Sequence, residues 1–143
     1  MISPRVVLDT NVLLTAGFKE NSIPAEIVKM IILKEIQALN CPGIVEEYKE
    51  VFSRARFKKW KFPPPWFEIF LAQSTSLDCD PPSWPLMGPD PDDLLFLSFA
   101  HQQGAILISE NMKDYPAEIR QGTIVMDPSE YRCGHSLERE GRR

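Results

Sequence analysis

Short apolar runs alternate along this chain with longer stretches in which apolar residues recur at helical spacing. The runs predict buried strands at about 2–8, 36–41, 105–108 and 123–126. Strands that alternate with helices indicate an α/β fold with a mostly parallel central sheet. A polar triplet, Asp9-Thr10-Asn11, directly follows the first of these strands. In open parallel sheets ligands bind just outside the carboxyl ends of the strands, so the triplet stands where a site is expected.

The helical stretches are bounded by recognisable start and stop signals. A short helix is expected over 12–18, and a longer one starts near Pro24 with Ser22 as its N-cap and an apolar face that extends to Ile36. Further helices are predicted from Ile44, over 66–72 and over 94–103, the last ended by Gly104. The proline-rich segment 78–91 is predicted to be an irregular connection with at most a short strand. Residues 1–132 are therefore expected to form one domain, followed by a polar tail over 133–143.

Composition restricts the class of protein further. The net charge of −4 argues against a protein covered in positive charge, although it leaves room for a local basic face. The three cysteines, Cys41, Cys79 and Cys133, show no CxxC spacing, so neither a disulfide framework nor a zinc site is indicated. No apolar run approaches the length of a membrane span and no signal-peptide pattern opens the chain. A cytoplasmic protein is the expectation.

Acids and amides occupy four junctions between the predicted elements. They are Asp9, the pair Glu46 and Glu47, the group Asp90, Asp92 and Asp93, and the tripeptide Ser109-Glu110-Asn111. Converging carboxylates repel one another, and a divalent cation relieves that repulsion. Oxygen ligands without His or Cys favour Mg²⁺ or Mn²⁺ over zinc.

Each acid also has a purely structural interpretation. Asp9 or Thr10 could cap the following helix, and Asp90 is a good N-cap in front of Pro91. Asp92 and Asp93 would complement the helix dipole, although the apolar residues after Asp93 draw that end of the helix inward. The glutamates of the helix that starts near Ile44 could form a solvated face. Sequence spacing alone does not select among these alternatives.

Four blocks of the sequence resemble the ordered motifs of PIN-domain ribonucleases. They are Val-Val-Leu-Asp-Thr-Asn-Val-Leu-Leu, Ile-Val-Glu-Glu-Tyr-Lys-Glu-Val-Phe, Asp-Pro-Asp-Asp-Leu-Leu-Phe-Leu-Ser-Phe-Ala and Ala-Ile-Leu-Ile-Ser-Glu-Asn-Met-Lys-Asp-Tyr. The resemblance is greatest to the toxin components of bacterial toxin–antitoxin systems, and it extends over nearly the whole chain.

The resemblance implies a three-layer α/β/α sandwich and a Mg²⁺- or Mn²⁺-dependent endoribonuclease. The family's acids match Asp9, Glu47 and Asp93, which would be the catalytic residues and metal ligands. Asp90, Asn111 and Asp114 are further candidate ligands, and Thr10, Asn11 and Ser109 are candidate supporting residues. The toxin-like branch also implies a homodimer and a small antitoxin that blocks the cleft.

Asn111 departs from the family pattern, which commonly has Thr/Ser-x-Asp after the late strand. Here an uncharged amide stands in place of the acid, with Asp114 three residues further on. The site is therefore expected to hold at least one metal ion, and a second ion is left open. A PIN-like module that binds RNA or protein without cleaving is one alternative function. A phosphohydrolase acting on small esters is another, weakened by the absence of an aspartate two residues after Asp9.

A basic segment with interleaved aromatic residues is the candidate RNA-binding region. Its residues would contact the RNA backbone through their positive charges and stack on bases through the aromatic ring. The candidates are Arg54, Arg56, Lys58, Lys59, Trp60 and Lys61. The structural alternative is an amphipathic helix with a solvated basic face, and the sequence favours neither.

Overall fold

The centre of the protein is a parallel sheet whose strands are joined by helical crossovers. The computed structural model describes residues 5–54 and 65–140, with side chains up to residue 134. Within these ranges the sheet has the strand order β3-β2-β1-β4-β5. The strands are β1 (Arg5–Leu8), β2 (Gln37–Asn40), β3 (Thr75–Ser76), β4 (Ile106–Ile108) and β5 (Val125–Met126). All four pairings are parallel, which confirms the predicted sheet.

The strand order reverses between β1 and β4, and this reversal sets the place of the site. From β1 the chain builds outward through β2 and β3, and it then returns to place β4 on the other side of β1. Leu8 pairs with Ile108, so these two strands end at the same level. The crevice at such a switch point is where open α/β sheets bind ligands. Asp9 and Ser109, the residues directly after the two strands, lie at its mouth.

Helices cover both faces of the sheet, which confirms the three-layer α/β/α architecture. The helices of the described residues are α1 (Thr10–Phe18), α2 (Ile23–Ile32), α3 (Pro42–Phe52), α4 (Pro65–Gln73), α5 (Leu94–Gln103) and α6 (Pro128–Glu140). Helix α2 packs against α1, α4 and α6, whereas α5 packs against β1, β4 and α3. Short 3₁₀ turns form at Pro91–Asp93, Met112–Asp114 and Ala117–Ile119.

Local signals in the sequence account for several helix ends. Ser22 caps α2 as predicted, because its hydroxyl accepts a hydrogen bond from the Ala25 amide at 3.2 Å. Gly104 ends α5 in the left-handed region at φ 63°, where a glycine is favoured. Helix α3 begins at Pro42, two residues earlier than predicted, and Cys41 supplies no side-chain cap. Instead Asp80 accepts a hydrogen bond from the Gly43 amide at 2.7 Å, which caps α3 from a distant part of the chain.

The core combines strand aliphatics with a cluster of aromatic rings. Val6, Val7 and Leu107 are fully buried in the middle of the sheet. Phe52 of α3 and Phe67 of α4 lie with ring centroids 5.0 Å apart, a distance at which aromatic rings pack favourably. The buried core fixes the strands and thereby the residues at their carboxyl ends.

Helices α2 and α6 also differ from the sequence prediction. Helix α2 ends at Ile32, so Ile36 lies outside it, and the intervening turn places Lys34 at φ 61°. Residues Pro128–Glu140 form helix α6, whereas a polar tail was expected from 133. Helix α6 contacts α2 through an ion pair of 3.0 Å between Arg132 and Glu26. The division of the chain at residue 132 stays a prediction.

Segment 77–90 contains neither helix nor strand, as predicted for this proline-rich connection. It directly follows β3, a two-residue strand. Within the described ranges, none of the helices has the length and apolar character needed to span a bilayer.

Candidate active site

Asp9 is a buried carboxylate held by two hydroxyl groups. It occupies the N-cap position of α1, but its side chain makes no capping hydrogen bond, so the capping interpretation does not account for it. Its Oδ2 atom accepts hydrogen bonds from Ser109 Oγ at 2.9 Å and from Tyr115 Oη at 2.8 Å. The residue is only 4% exposed. Its environment is therefore that of a positioned buried acid rather than of an exposed helix cap.

Ser109 links the carboxyl end of β4 to that of β1. Its hydroxyl donates to Asp9 and accepts from Asn11 Nδ2 at 3.3 Å and from the Asn111 amide at 3.0 Å. Asn11 in turn accepts from the Glu110 amide at 3.0 Å through its Oδ1. A hydroxyl has one proton and two acceptor positions, so all the hydrogen-bonding capacity of Ser109 is used. The predicted supporting residues Asn11 and Ser109 thus lie together at the switch point.

Three aspartates converge beside this pair of strand ends. Asp90, Asp93 and Asp114 each offer a carboxylate oxygen, and these oxygens lie within 4.8 Å of one another. Asp93 ends the 3₁₀ turn Pro91–Asp93, whereas Asp114 ends the turn Met112–Asp114. Asp90 also caps its turn, as its structural interpretation required, by accepting from the Asp92 amide at 3.0 Å. Asp90 therefore caps the turn and belongs to the acidic group at the same time.

Asn111, the residue that departs from the family pattern, orients one of these acids. Its side-chain Nδ2 donates a hydrogen bond to Asp114 Oδ2. Asp114, three residues further along the chain, is thereby tied to the residue at the position that the family commonly fills with an acid. The amide of Asn111 holds that carboxylate in place.

Burial and mutual repulsion raise the pKa of the acids at this edge. Burial is the largest cause of the raised pKa of Asp9, opposed by its hydrogen bonds from Tyr115 and Ser109. The pKa of Asp93 rises to about 8, first because of desolvation and then because of the charge of Asp9 and a hydrogen bond with Asp114. Asp9 thus lies close enough for its charge to act on Asp93, and the charge of Asp114 likewise raises the pKa of Asp9. A nearby positive charge would reverse these shifts.

Glu47 is half-buried, and the charge of Asp9 acts on it, which places it near the same edge of the sheet. Its pKa is raised mainly by burial, then by the charges of Asp92 and Glu50, with a smaller contribution from Asp9. Glu46 and Glu50 are exposed, as expected for a solvated helix face. Glu50 forms an ion pair of 3.1 Å with Arg54.

The donor set at the switch point suits a hard divalent cation. Every candidate ligand is an oxygen, and the carboxylates of Asp90, Asp93 and Asp114 crowd together. The Thr10 hydroxyl is buried beside Asp9, and its oxygen has no hydrogen-bond partner among the described residues. Mg²⁺ or Mn²⁺ fits this chemistry better than zinc.

Sequence reasoning missed one residue of the site, Tyr115. Its side chain is fully buried, and its hydroxyl reaches Asp9 across 106 positions of the chain. The only available signal was an aromatic hydroxyl next to Asp114 in the segment after β4. No local spacing rule identifies such a contact.

Of the candidate RNA-binding residues, Arg54 is exposed at the end of α3. The others, Arg56, Lys58, Lys59, Trp60 and Lys61, lie outside the described residues. Their proposed role stays a prediction.

A parallel α/β/α sandwich with clustered acids at its switch point defines an open α/β protein whose candidate site lies at the carboxyl edge of the sheet. The family model described as "PIN domain" matches residues 5–113, and the chain belongs to this family. The fold is shared with a chain of the crystal structure of VapBC2 from Rickettsia felis bound to a DNA fragment from their promoter. That comparison has a TM-score of 0.60 and 17% identity, and covers 86% of this chain and 98% of the other. No curated protein matches the chain.

Proposed function

We propose that the protein is an endoribonuclease that hydrolyses RNA phosphodiester bonds with Mg²⁺ or Mn²⁺. The observation that supports this most is the convergence of acids from separate segments at the switch point. Asp9 follows β1, and its charge acts on Asp93 across the crevice. Asp114 reaches the same group from the segment after β4. The cost of gathering these charges is relieved once a cation binds among them.

Asp9, Glu47 and Asp93 are the proposed metal ligands and catalytic residues, with Asp90 and Asp114 as further ligands. A divalent cation held by these carboxylates would supply Lewis-acid activation of water and would offset negative charge at the phosphate. The residues of the chain bind the ion and fix the orientation of the carboxylates. Ser109 orients Asp9, and Asn111 orients Asp114. Asn11, which follows β1, joins this strand end to that of β4 through its hydrogen bonds with Ser109 and Glu110.

RNA needs a favourable electrostatic path to this acidic edge, because the net charge of the chain is −4. The basic segment after α3 is the proposed source of backbone contacts. In the sequence it follows the helix that carries Glu47. Arg or Lys side chains there would bind phosphates, and Trp60 would stack on bases.

We further propose that the protein is the toxin of a toxin–antitoxin pair, as a homodimer with an antitoxin protein as partner. This part rests on the resemblance of its four sequence blocks to toxin-type PIN domains. Light scattering of the purified protein measures its oligomeric state. A particle of twice the 16.4 kDa chain mass is expected, and a monomer at all concentrations would contradict the dimer.

A second candidate function is an RNA- or protein-binding module with impaired catalysis. The observation in its favour is Asn111, which brings an uncharged side chain to a position where the family commonly has an acid. Asp114 offsets this loss by placing a carboxylate in the same group. Cleavage is therefore the better supported of the two functions.

Cleavage of labelled single-stranded RNA separates the candidate functions. The protein is incubated with RNA and Mg²⁺ or Mn²⁺, with EDTA in a parallel reaction, and with a small phosphate ester in a third. Metal-dependent RNA cleavage supports the nuclease. RNA binding without cleavage supports the binding module, and hydrolysis of the ester alone supports a phosphohydrolase.

Two adjacent glutamates provide a matched pair for the same assay. Glu47→Gln removes an acid that feels the charge of Asp9, whereas Glu46→Gln changes an exposed neighbour on the same helix. We expect kcat/KM to fall about 100-fold or more in Glu47→Gln and less than about twofold in Glu46→Gln. Equal losses in both variants would remove Glu47 from the proposed site.

A further inference from the structure

Tyr115 places a second hydroxyl on the buried carboxylate of Asp9. Its phenol donates to Asp9 Oδ2 at 2.8 Å, and Ser109 Oγ donates to the same oxygen at 2.9 Å. Two donors from different directions on one carboxylate oxygen restrict rotation of the carboxylate about its Cβ–Cγ bond. Ser109 alone would fix one direction only.

The ring and backbone of Tyr115 are themselves held rigidly. The side chain is fully buried in the core. Its carbonyl oxygen accepts a hydrogen bond from Arg120 Nε at 2.7 Å, and its amide donates to the Met112 carbonyl at 3.0 Å. Because the ring is buried and both backbone polar groups of Tyr115 are hydrogen-bonded, its hydroxyl is a preorganised donor.

Tyr115 also connects the two parts of the acidic site. It directly follows Asp114, which belongs to the group with Asp90 and Asp93. One short turn, Met112–Asp114, therefore delivers a carboxylate to that group and, in the next residue, a hydroxyl to Asp9.

We propose that Tyr115 is a positioning residue that holds the Asp9 carboxylate in the orientation required to bind a divalent cation. This inference rests on the metal-binding part of the proposed function. Tyr115 acts through Asp9 and does not touch the ion or the RNA. Residues that hydrogen-bond metal ligands in this way typically change metal affinity or activity by about 10–100-fold when substituted.

Tyr115→Phe is the sharpest variant, because it removes the hydroxyl and keeps the buried ring. Tyr48→Phe is its matched control. Tyr48 is also fully buried, but its hydroxyl donates to the Leu8 carbonyl at 2.6 Å and not to the Asp9 carboxylate. Both variants lose one buried phenol oxygen. An effect that comes only from removing such an atom from the core should therefore appear in both variants.

Calorimetric titration of the purified proteins with Mn²⁺ measures the effect without reference to RNA. We expect the Mn²⁺ dissociation constant to rise about tenfold in Tyr115→Phe and less than about twofold in Tyr48→Phe. In the RNA cleavage assay, the Mn²⁺ concentration for half-maximal rate should rise by a similar factor while KM for RNA stays unchanged. An unchanged Mn²⁺ affinity in Tyr115→Phe, or an equal shift in both variants, would overturn the proposal.

The titration separates this inference from the proposed function. Mn²⁺ binding that weakens in Tyr115→Phe, without RNA cleavage by the unsubstituted protein, supports the positioning role and contradicts the nuclease. RNA cleavage with equal Mn²⁺ affinity in both proteins contradicts the positioning role alone. A protein that binds no Mn²⁺ contradicts both. Circular dichroism of each variant excludes unfolding as the cause, and Tyr115→Trp supplies a second variant that lacks the phenol.

Discussion

Two carboxyl groups at the switch point, those of Asp9 and Asp93, are fully or partly buried, and burial of an ionised carboxylate costs free energy unless another interaction compensates for it. Asp9 is 4% exposed and is held by two hydroxyl donors. Asp93 is partly buried, and its pKa rises to about 8 through desolvation and the charge of Asp9. An ionised carboxylate in such a place costs folding free energy unless a cation is present. These residues therefore lower the stability of the metal-free protein, which is evidence for a role in binding rather than in folding.

Asp93→Asn should stabilise the metal-free protein at alkaline pH. The pKa of Asp93 is about 8 in the folded protein, against 3.8 for an aspartate carboxyl free in water, so the folded state holds the proton more strongly. Stability of the EDTA-treated protein should consequently fall as pH rises from about 4 to 8. The substitution removes this loss and should raise the melting temperature at pH 8 by about 3 °C, equivalent to about 1 kcal/mol after allowance for solvent screening.

Thermal melts of both proteins at pH 5 and pH 8 in EDTA check this expectation. The gain should be small at pH 5, where Asp93 is already protonated in the folded protein. A variant that is less stable at both pH values would show that Asp93 has a structural role that outweighs its charge. Asp78→Asn, at an exposed position in the proline-rich connection, is a control for the loss of one negative charge.

At the scale of elements, a side chain from a distant segment caps the N-terminus of helix α3. Helix α3 carries Glu47, but its N-cap residue, Cys41, supplies no side-chain hydrogen bond to the helix N-terminus. Asp80, from the irregular connection, accepts from the Gly43 amide at 2.7 Å and fills that position. A carboxylate at a helix N-terminus also interacts favourably with the helix dipole.

Asp80→Ala should lower stability without changing the proposed chemistry. Loss of a capping side chain costs about 1 kcal/mol, which corresponds to a fall of about 3 °C in melting temperature. Mn²⁺ affinity should change less than about twofold, because Asp80 does not belong to the acidic group of Asp90, Asp93 and Asp114. Melts and Mn²⁺ titration of the one variant test both parts. A loss of Mn²⁺ affinity as large as that of a ligand variant would mean that the position of α3 controls the site.

The elements also show how far the sequence could be interpreted by itself. Apolar runs ending in Asp9 and Ser109 predicted β1 and β4, because a buried strand leaves a clear local pattern. β3 has only Thr75 and Ser76, too short a segment to produce such a pattern. Helix α6 is strongly polar, and its contact with α2 is a tertiary one. The bond from Tyr115 to Asp9 depends on the folded path of the chain, which residue spacing does not reveal.

At the scale of the whole molecule, the site joins segments that are far apart in sequence. Asp9 and Ser109 are separated by 100 positions, and their hydrogen bond links the carboxyl ends of the paired strands β1 and β4. Binding of a cation there should therefore stabilise the fold as a unit. Any ligand that binds only the folded state raises stability by mass action.

Mn²⁺ should raise the melting temperature, and more so at pH 8 than at pH 6. At a free concentration about 100 times the dissociation constant, the gain is about 2.7 kcal/mol. At pH 6 the ion must displace the proton that the raised pKa of Asp93 retains, so apparent affinity is lower there. Melts across a Mn²⁺ series at both pH values measure the effect. A gain that is larger at pH 6 would contradict the assignment of Asp93 as a ligand.

The central claim is that Asp9 anchors a metal-dependent RNA-cleaving site, and RNA cleavage by Asp9→Asn tests it most directly. The substitution keeps the size of the side chain and removes its charge. With saturating Mn²⁺ and labelled single-stranded RNA, we predict that kcat/KM falls by about 10³-fold, to the level of the unsubstituted protein in EDTA. Cleavage by Asp9→Asn at the rate of the unsubstituted protein would contradict the claim.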